Sequence, residues 1–322
     1  MPLLDLPLAQ LKTYAGRSPR PDDVNAFWDR GLSELAATPP EVTITPATQS
    51  FAGAECFDLV FTGTGGARVY AKFLRPQQRS GKVPLVVRFH GYSMNSGEWF
   101  DHLGWIAQGY AVLAMDCRGQ GGRSHDNQAV KGWNLTGHII RGLEEDTPDR
   151  LYYRHVFLDT ARLAGIGLAM PEIDSARVYV YGGSQGGGLA IACAALEPRV
   201  AKCASVFPFL ADYRRVWEMD LCKDAYKELN EWFRRFDPTH IREDAVFTRI
   251  GYVDIQWLAH RITGKTLMFT GLADAICPPS TQFAVYNKMT CPKDVIIYPD
   301  YGHEHLPGHM DTVSQFFAEP AL

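Results

Sequence analysis

The stretch RVYVYGGSQGGGLAIACA, residues 177–194, holds one serine among five glycines where a Val/Tyr run gives way to an alanine-rich run. The first part reads as a buried strand, and GLAIACAAL as a helix of small and apolar residues. Ser184 therefore sits on the corner between them, inside Gly182-Gly183-Ser184-Gln185-Gly186. That is the G-x-S-x-G pattern in the strand–turn–helix setting that a nucleophile elbow requires. So sharp a turn forces its central residue into a strained backbone and brings neighbouring chain close, where only glycine fits. It presents the serine hydroxyl at a helix N-terminus, with the Gln185 N–H and the helix dipole aimed at a developing oxyanion. A phosphate-binding loop would need a lysine after the glycines, and none follows.

Such a corner belongs to a mainly parallel sheet, and the chain supplies one. Apolar runs at 84–89, 110–115, 177–181, 203–207, 266–271 and 294–299 alternate with longer helix-like segments. That alternation indicates an α/β architecture with helices on both faces. Ahead of it, residues 21–35 carry apolar positions at helical spacing, and ECFDLVFTG and ARVYAKFLRP flank TGTGG as an antiparallel hairpin. Segment 209–260 is helical and aromatic, and reads as an insertion over the strand ends. With 322 residues, 46% of them hydrophobic, and no boundary rich in Pro, Gly or Ser, one domain is expected, comprising an N-terminal helix and hairpin (about 21–75), the sheet, and the insertion.

A serine nucleophile needs a base, and the base needs an orienting acid, in the chain order Ser, Asp, His. Asp274 follows the strand TLMFTG, in a loop closed by Pro278-Pro279, and His303 follows DVIIYP, after the turn Tyr301-Gly302. Both loops leave the carboxyl edge of the sheet, where open α/β sheets place their sites. Asp300 is the rival acid, only three residues from His303. His303, His305 and His309 do not form a paired metal motif, because Pro307 and Gly308 break any helix that would carry it. His305 and His309 are assigned solvated or structural roles. A second oxyanion donor is expected after PLVVRFHG, where Gly91 allows a sharp turn and the Tyr92 N–H can face Ser184. Arg118 and Gln120, in DCRGQGG, are read as braces of the site loops. Trp99, Tyr213 and Trp217 could stack on sugar rings, but core packing is the better reading.

The net charge of −4 and a pI near 6.2 argue against nucleic-acid or anionic-membrane partners. No run of about 18 apolar residues suggests a transmembrane helix, and the N-terminus does not read as a signal peptide. Seven cysteines without CxxC spacing read as small core residues in a reducing cytoplasm.

Taken together, HGYSMNSGEW, MDCRGQGG, YGGSQGG, FPFLADYRRVWEMD, GLADAICPPST and YPDYGHE resemble the acetyl xylan esterase/cephalosporin C deacetylase family, carbohydrate esterase family 7, over residues 21–317. The resemblance implies an α/β-hydrolase that deacetylates xylo-oligosaccharides and cephalosporin C. It implies a triad of Ser184, Asp274 and His303, oxyanion amides from Tyr92 and Gln185, no metal or organic cofactor, and a homohexamer with sites on an internal cavity. Two features bear on assembly. The hairpin could leave an edge for a neighbour to pair, and Trp133, Leu135, Ile139 and Ile140 read as exposed apolar surface, the alternative being that their loop packs on its own domain. Competing readings are a longer-chain carboxylesterase or peptidase on the same fold, a non-catalytic binding protein, and a sugar-binding module.

Overall fold

The computed structural model describes residues 4–132 and 137–320. Among the described residues nine strands form one sheet: β1 (Thr43–Pro46), β2 (Ala54–Thr62), β3 (Arg68–Pro76), β4 (Val83–Phe89), β5 (Ala111–Met115), β6 (Ile173–Gly183), β7 (Lys202–Val206), β8 (Lys265–Gly271) and β9 (Lys293–Tyr298). Their order is β1-β2-β3-β5-β4-β6-β7-β8-β9. From β5 to β9 every pairing is parallel, whereas β1, β2 and β3 join antiparallel. The α/β expectation therefore holds.

Successive side chains of a strand point to opposite faces, and both faces are covered. Leu85, Val87 and Phe89 pack under helices Val24–Ala37, Tyr152–Ala169 and Gln185–Leu196. Val86, Ala114 and Tyr179 pack under Leu103–Ala107 and His309–Ala318. Burial on both sides explains why the central strands read as continuous apolar runs rather than alternating ones.

The hairpin is not a separate appendage. Its strand β3 pairs with β5, and β2 is covered by β1, a short strand with no signal in the sequence. The edge is thus β1, four exposed residues ending in Pro46. A second expectation fails at Ile139 and Ile140, which are 1% and 3% exposed. They pack in the main core beside Leu143 and Tyr152. Trp133 and Leu135 lie outside the described residues.

Between β7 and β8 the chain forms helices Tyr213–Glu218, Lys227–Phe236 and Glu243–Ile250, followed by single-turn segments. Its aromatics are mostly core. Tyr213 is fully buried with its hydroxyl on the Val253 carbonyl, and Trp217 packs on Phe233 at 4.6 Å. Two linked buried acids lie here, and one of them fastens the region to the N-terminal segment. Asp212 accepts the N–H groups of Arg17 and Ser18 and the Tyr14 hydroxyl, while Asp254 accepts the Asp212 N–H. Burial first, and then Asp212, pushes the Asp254 carboxyl up to about 7.

Candidate active site

At the end of β6 the backbone of Ser184 adopts φ 57°, ψ −122°, a left-handed conformation on a residue that carries a side chain. The strain is held by its surroundings. The Ser184 N–H donates to the Val206 carbonyl at 2.9 Å, and its own carbonyl accepts from Gly188 and Phe209 at 3.0 Å. The glycines serve close approach rather than unusual dihedrals. A Cβ on Gly182 would lie 2.3 Å from the Gly186 backbone, and one on Gly186 would lie 2.2 Å from the Phe89 carbonyl oxygen. Gly183 differs, since a Cβ there would meet only Phe207 and Val206 at ordinary contact distances. The start of the Gln185 helix thus lies directly on the end of β4.

The three loop residues expected from chain order meet at this corner. The Ser184 hydroxyl lies 2.9 Å from His303 Nε2, and His303 Nδ1 lies 2.9 Å from Asp274 Oδ2. With Asp274 as acceptor, Nδ1 carries the proton and Nε2 is free to accept from the serine. Asp274 is fully buried, and its Oδ1 accepts the N–H groups of Ile276 and Cys277 at 2.9 and 2.8 Å. Those bonds fix its orientation. Asp300 is exposed, so the rivalry resolves toward Asp274. Phe207, at φ 33°, lays its ring on the His303 imidazole at 4.4 Å. Phe209 is fully buried behind Tyr92 and Tyr226.

Asp274, Cys277 and His303 also bring a carboxylate oxygen, a sulfur and a ring nitrogen within 4.8 Å of one another. That is the composition of a metal site, but the carboxylate is already hydrogen-bonded on both oxygens. Burial, and then Asp274, pushes the Cys277 thiol well above its ordinary range, which leaves it neutral. His305 is exposed, whereas His309 is buried between the Leu306 carbonyl and the Tyr181 hydroxyl.

The loop after β4 is locked against the elbow. His90 Nδ1 donates to the Gly91 carbonyl at 2.7 Å, and its Nε2 accepts the Cys117 N–H at 2.9 Å. Burial lowers its pKa, so the ring stays neutral in that arrangement. The side-chain amides of Gln120 and Gln185 pair reciprocally at 2.8 and 3.1 Å, and Gln120 Oε1 accepts the Ser93 N–H. The Gln185 N–H opens its helix and has no intrahelical acceptor. Tyr92 and Gln185 are therefore carried by two backbone segments in contact. Arg118 forms a bidentate pair with Asp159 at 2.6 and 2.7 Å, both side chains buried, which ties the loop after β5 to helix Tyr152–Ala169.

The chain matches the family model described as acetyl xylan esterase (AXE1) over residues 1–319. It belongs to that family. A solved acetyl xylan esterase 1 from a Thermoanaerobacterium species is 52% identical and superposes with a TM-score of 0.95, covering 97% of this chain and 98% of that one. An acetyl xylan esterase from a Paenibacillus species gives 36% identity and a TM-score of 0.92, covering 97% and 99%. Among curated proteins, the acetyl esterase Axe7A of Xylanibacter ruminicola is 28% identical over 91% of this chain, which spans 65% of that protein's length. An acetyl xylan esterase family member with this fold is a carboxylic ester hydrolase. Among the described residues, no helix is long and apolar enough to cross a membrane.

One residue at the site carried no signal in the sequence. Glu228, in the first turn of helix Lys227–Phe236, is 2% exposed. Its Oε1 accepts the Tyr92 hydroxyl and the N–H groups of His138 and Ile139 at 2.7–2.8 Å, and its Oε2 accepts the Ile140 N–H at 3.3 Å. Burial pushes its carboxyl up to about 7 despite those donors. In KELNEWFRRF it reads as one more charge on a solvated helix face.

Proposed function

We propose that this esterase removes acetyl groups from acetylated xylo-oligosaccharides and related small acetyl esters, cephalosporin C among them, through an acetyl-enzyme intermediate. The observation that carries this reading is the continuous hydrogen-bonded chain Ser184–His303–Asp274, with its serine on a strained elbow. In the first half-reaction His303 Nε2 takes the proton as Ser184 Oγ attacks the acetyl carbonyl carbon. Asp274 stabilises the imidazolium that forms. The N–H groups of Tyr92 and Gln185 receive the oxyanion of the tetrahedral intermediate. Collapse breaks the bond to the sugar oxygen, which leaves with the proton from His303. In the second half-reaction the same imidazole deprotonates water, which attacks the acetyl carbonyl. Acetate departs and Ser184 regains its proton.

The reading includes a homohexamer in the cytoplasm, whose enclosed sites would admit oligosaccharides and refuse polymer. The experiment is acetate release from acetylated xylo-oligosaccharides, acetylated glucose, cephalosporin C and polymeric acetyl-xylan, with light scattering of the same sample. Turnover of the small esters, with polymer slower per accessible acetyl group and a mass near six chains, supports it. A monomer with equal rates on polymer and oligomer overturns the assembly part. Preference for long-chain esters or aminoacyl amides overturns the substrate part.

A further inference from the structure

We infer that Glu228 is a positioning residue that holds the Tyr92 peptide in register with the elbow, acting through the Tyr92 hydroxyl. This rests on the proposed oxyanion role of the Tyr92 N–H. The loop bearing Tyr92 is gripped at its two ends by different parts of the molecule. His90, Gly91 and Ser93 are bonded to Cys117, Gln120 and Gln185, which belong to the sheet edge and the elbow. The Tyr92 side chain is bonded to the insertion, through Glu228 at 2.8 Å.

The ring has little freedom between these anchors. It meets Phe209 edge-on at 5.5 Å and His138 at 5.3 Å. The Phe209 N–H in turn donates to the Ser184 carbonyl, so the ring's packing surface is tied to the nucleophile's own residue. The carboxyl is likewise fixed by three successive peptide N–H groups, His138 to Ile140, and it sits in the first turn of a helix, where a negative charge is favoured. The chain makes room for this junction. A Cβ on Gly137 would lie 2.2 Å from Glu228 Oε1 and 2.4 Å from the Tyr92 hydroxyl oxygen.

A short-range structural role would not need this arrangement, because the Tyr92 ring already packs on Phe209, which in turn packs on Tyr226 of the insertion. What the carboxyl adds is a directional bond at the far end of the oxyanion residue. Oxyanion donors must lie within a few tenths of an ångström of their position, and loss of one costs about 10²–10³-fold in kcat. A loosened donor costs part of that.

The test uses the full-length protein and p-nitrophenyl acetate, with kcat and KM read separately for Glu228→Gln, Glu228→Ala, Tyr92→Phe and the double variant Tyr92→Phe/Glu228→Ala. Expected are a fall in kcat of about 10-fold for Tyr92→Phe and 10- to 100-fold for Glu228→Ala. KM should stay within about threefold, and Glu228→Gln should recover part of the loss. The double variant should be little slower than Glu228→Ala, because the Tyr92–Glu228 bond is already absent there and only the His138 N–H bond to the hydroxyl is lost in addition. Gly137→Ala should give the same pattern. Tyr92→Phe removes the hydroxyl's bonds to Glu228 and from the His138 N–H but keeps the buried carboxyl and its peptide donors, so it reads the anchoring of the hydroxyl even if Glu228→Ala fails to fold. Wild-type kcat in Tyr92→Phe, losses that multiply in the double variant, or a change confined to KM would overturn the inference. A wild-type enzyme inactive on acetyl esters would instead overturn the substrate reading, so the two failures are distinct.

Discussion

The elbow and the insertion both grip the loop that carries Tyr92, and they are built by opposite means. At the elbow, position is set by close backbone contact and by the neutral amides of Gln120 and Gln185. Ser184 holds a left-handed φ, and Gly182 and Gly186 let two chain segments touch. Few charged groups take part, and the close contacts are between peptide atoms. In the insertion, position is set by buried acids. Asp212, Asp254 and Glu228 each collect N–H or O–H donors from segments far away in sequence. Backbone contact is rigid and insensitive to pH. Buried carboxyls are directional but respond to protonation. One loop is thus held by pH-insensitive contacts on one wall and by a carboxyl that responds to protonation on the other.

The sharpest cut at the elbow is chemical. Ser184→Ala should remain folded while acetyl-esterase activity falls by at least ~10⁴-fold, and His303→Ala should fall similarly, because nucleophile and base act as one unit. Asp274→Asn should lose somewhat less, since it disturbs only tautomer and orientation. A tenth of wild-type turnover in Ser184→Ala would remove the serine from the mechanism.

The second cut separates the two walls by stability. Gly186→Ala drives a Cβ into the Phe89 carbonyl, and should destabilise by about 3 kcal/mol, read by urea unfolding. Gly183→Ala, with ordinary space around it, should cost under about 1 kcal/mol. If the two alanines melt alike, close approach is not what the elbow glycines supply.

The third concerns the acyl side of the site, where Phe207 lies against His303. Acetyl esters should exceed butyryl esters by more than tenfold in kcat/KM, as each misfitted methylene costs about 1–3 kcal/mol. Phe207→Ala should narrow that ratio. Phe209 is buried behind Tyr92, so trimming it should lower stability without relaxing acyl length. Equal rates of the wild type on acetyl and hexanoyl esters would place the selectivity elsewhere.

The smallest effect is in pH. Glu228 and Asp254 have carboxyls raised to about 7, so the native state binds protons there that the unfolded chain releases near pH 4. Their contribution is fully present below the unfolded values and is lost as pH rises through 7. His102, His138 and His155 are lowered by burial, to about 3, 4 and 2, so their contribution is present above the unfolded value near 6.5 and is lost as pH falls. Stability should therefore decline on both sides of a weakly acidic to neutral maximum. Glu228→Gln should flatten the alkaline side by on the order of 1 kcal/mol between pH 6 and 8 in thermal or urea melts. An unchanged alkaline slope would mean that this carboxyl ionises as easily folded as unfolded.

Residues near one another in the chain, or placed by strand order, were legible from the sequence. Ser184 was visible because the elbow's requirements fall within five consecutive residues. Asp274 and His303 were visible because successive parallel strands deliver their loops to one edge of the sheet. The same local logic gave the bracing roles of Arg118 and Gln120, although not their partners Asp159 and Gln185. It failed at Ile139 and Ile140, where an apolar pair in a long connection looked like surface but fills the core. It also missed β1, whose TITP carries no amphipathic period because all four residues are exposed.

By itself, then, the sequence determined the central parallel strands, the corner and the order of nucleophile, acid and base, since each depends on local backbone preference and apolar periodicity. The tertiary structure alone decided which carboxyls are buried and what they hold. Glu228 lies 136 residues from Tyr92, and Asp212 lies 195 residues from Arg17. A buried acid and a solvated one are the same letter in the chain. They differ only in the donors that folding brings around them, and burial without those donors would cost several kcal/mol.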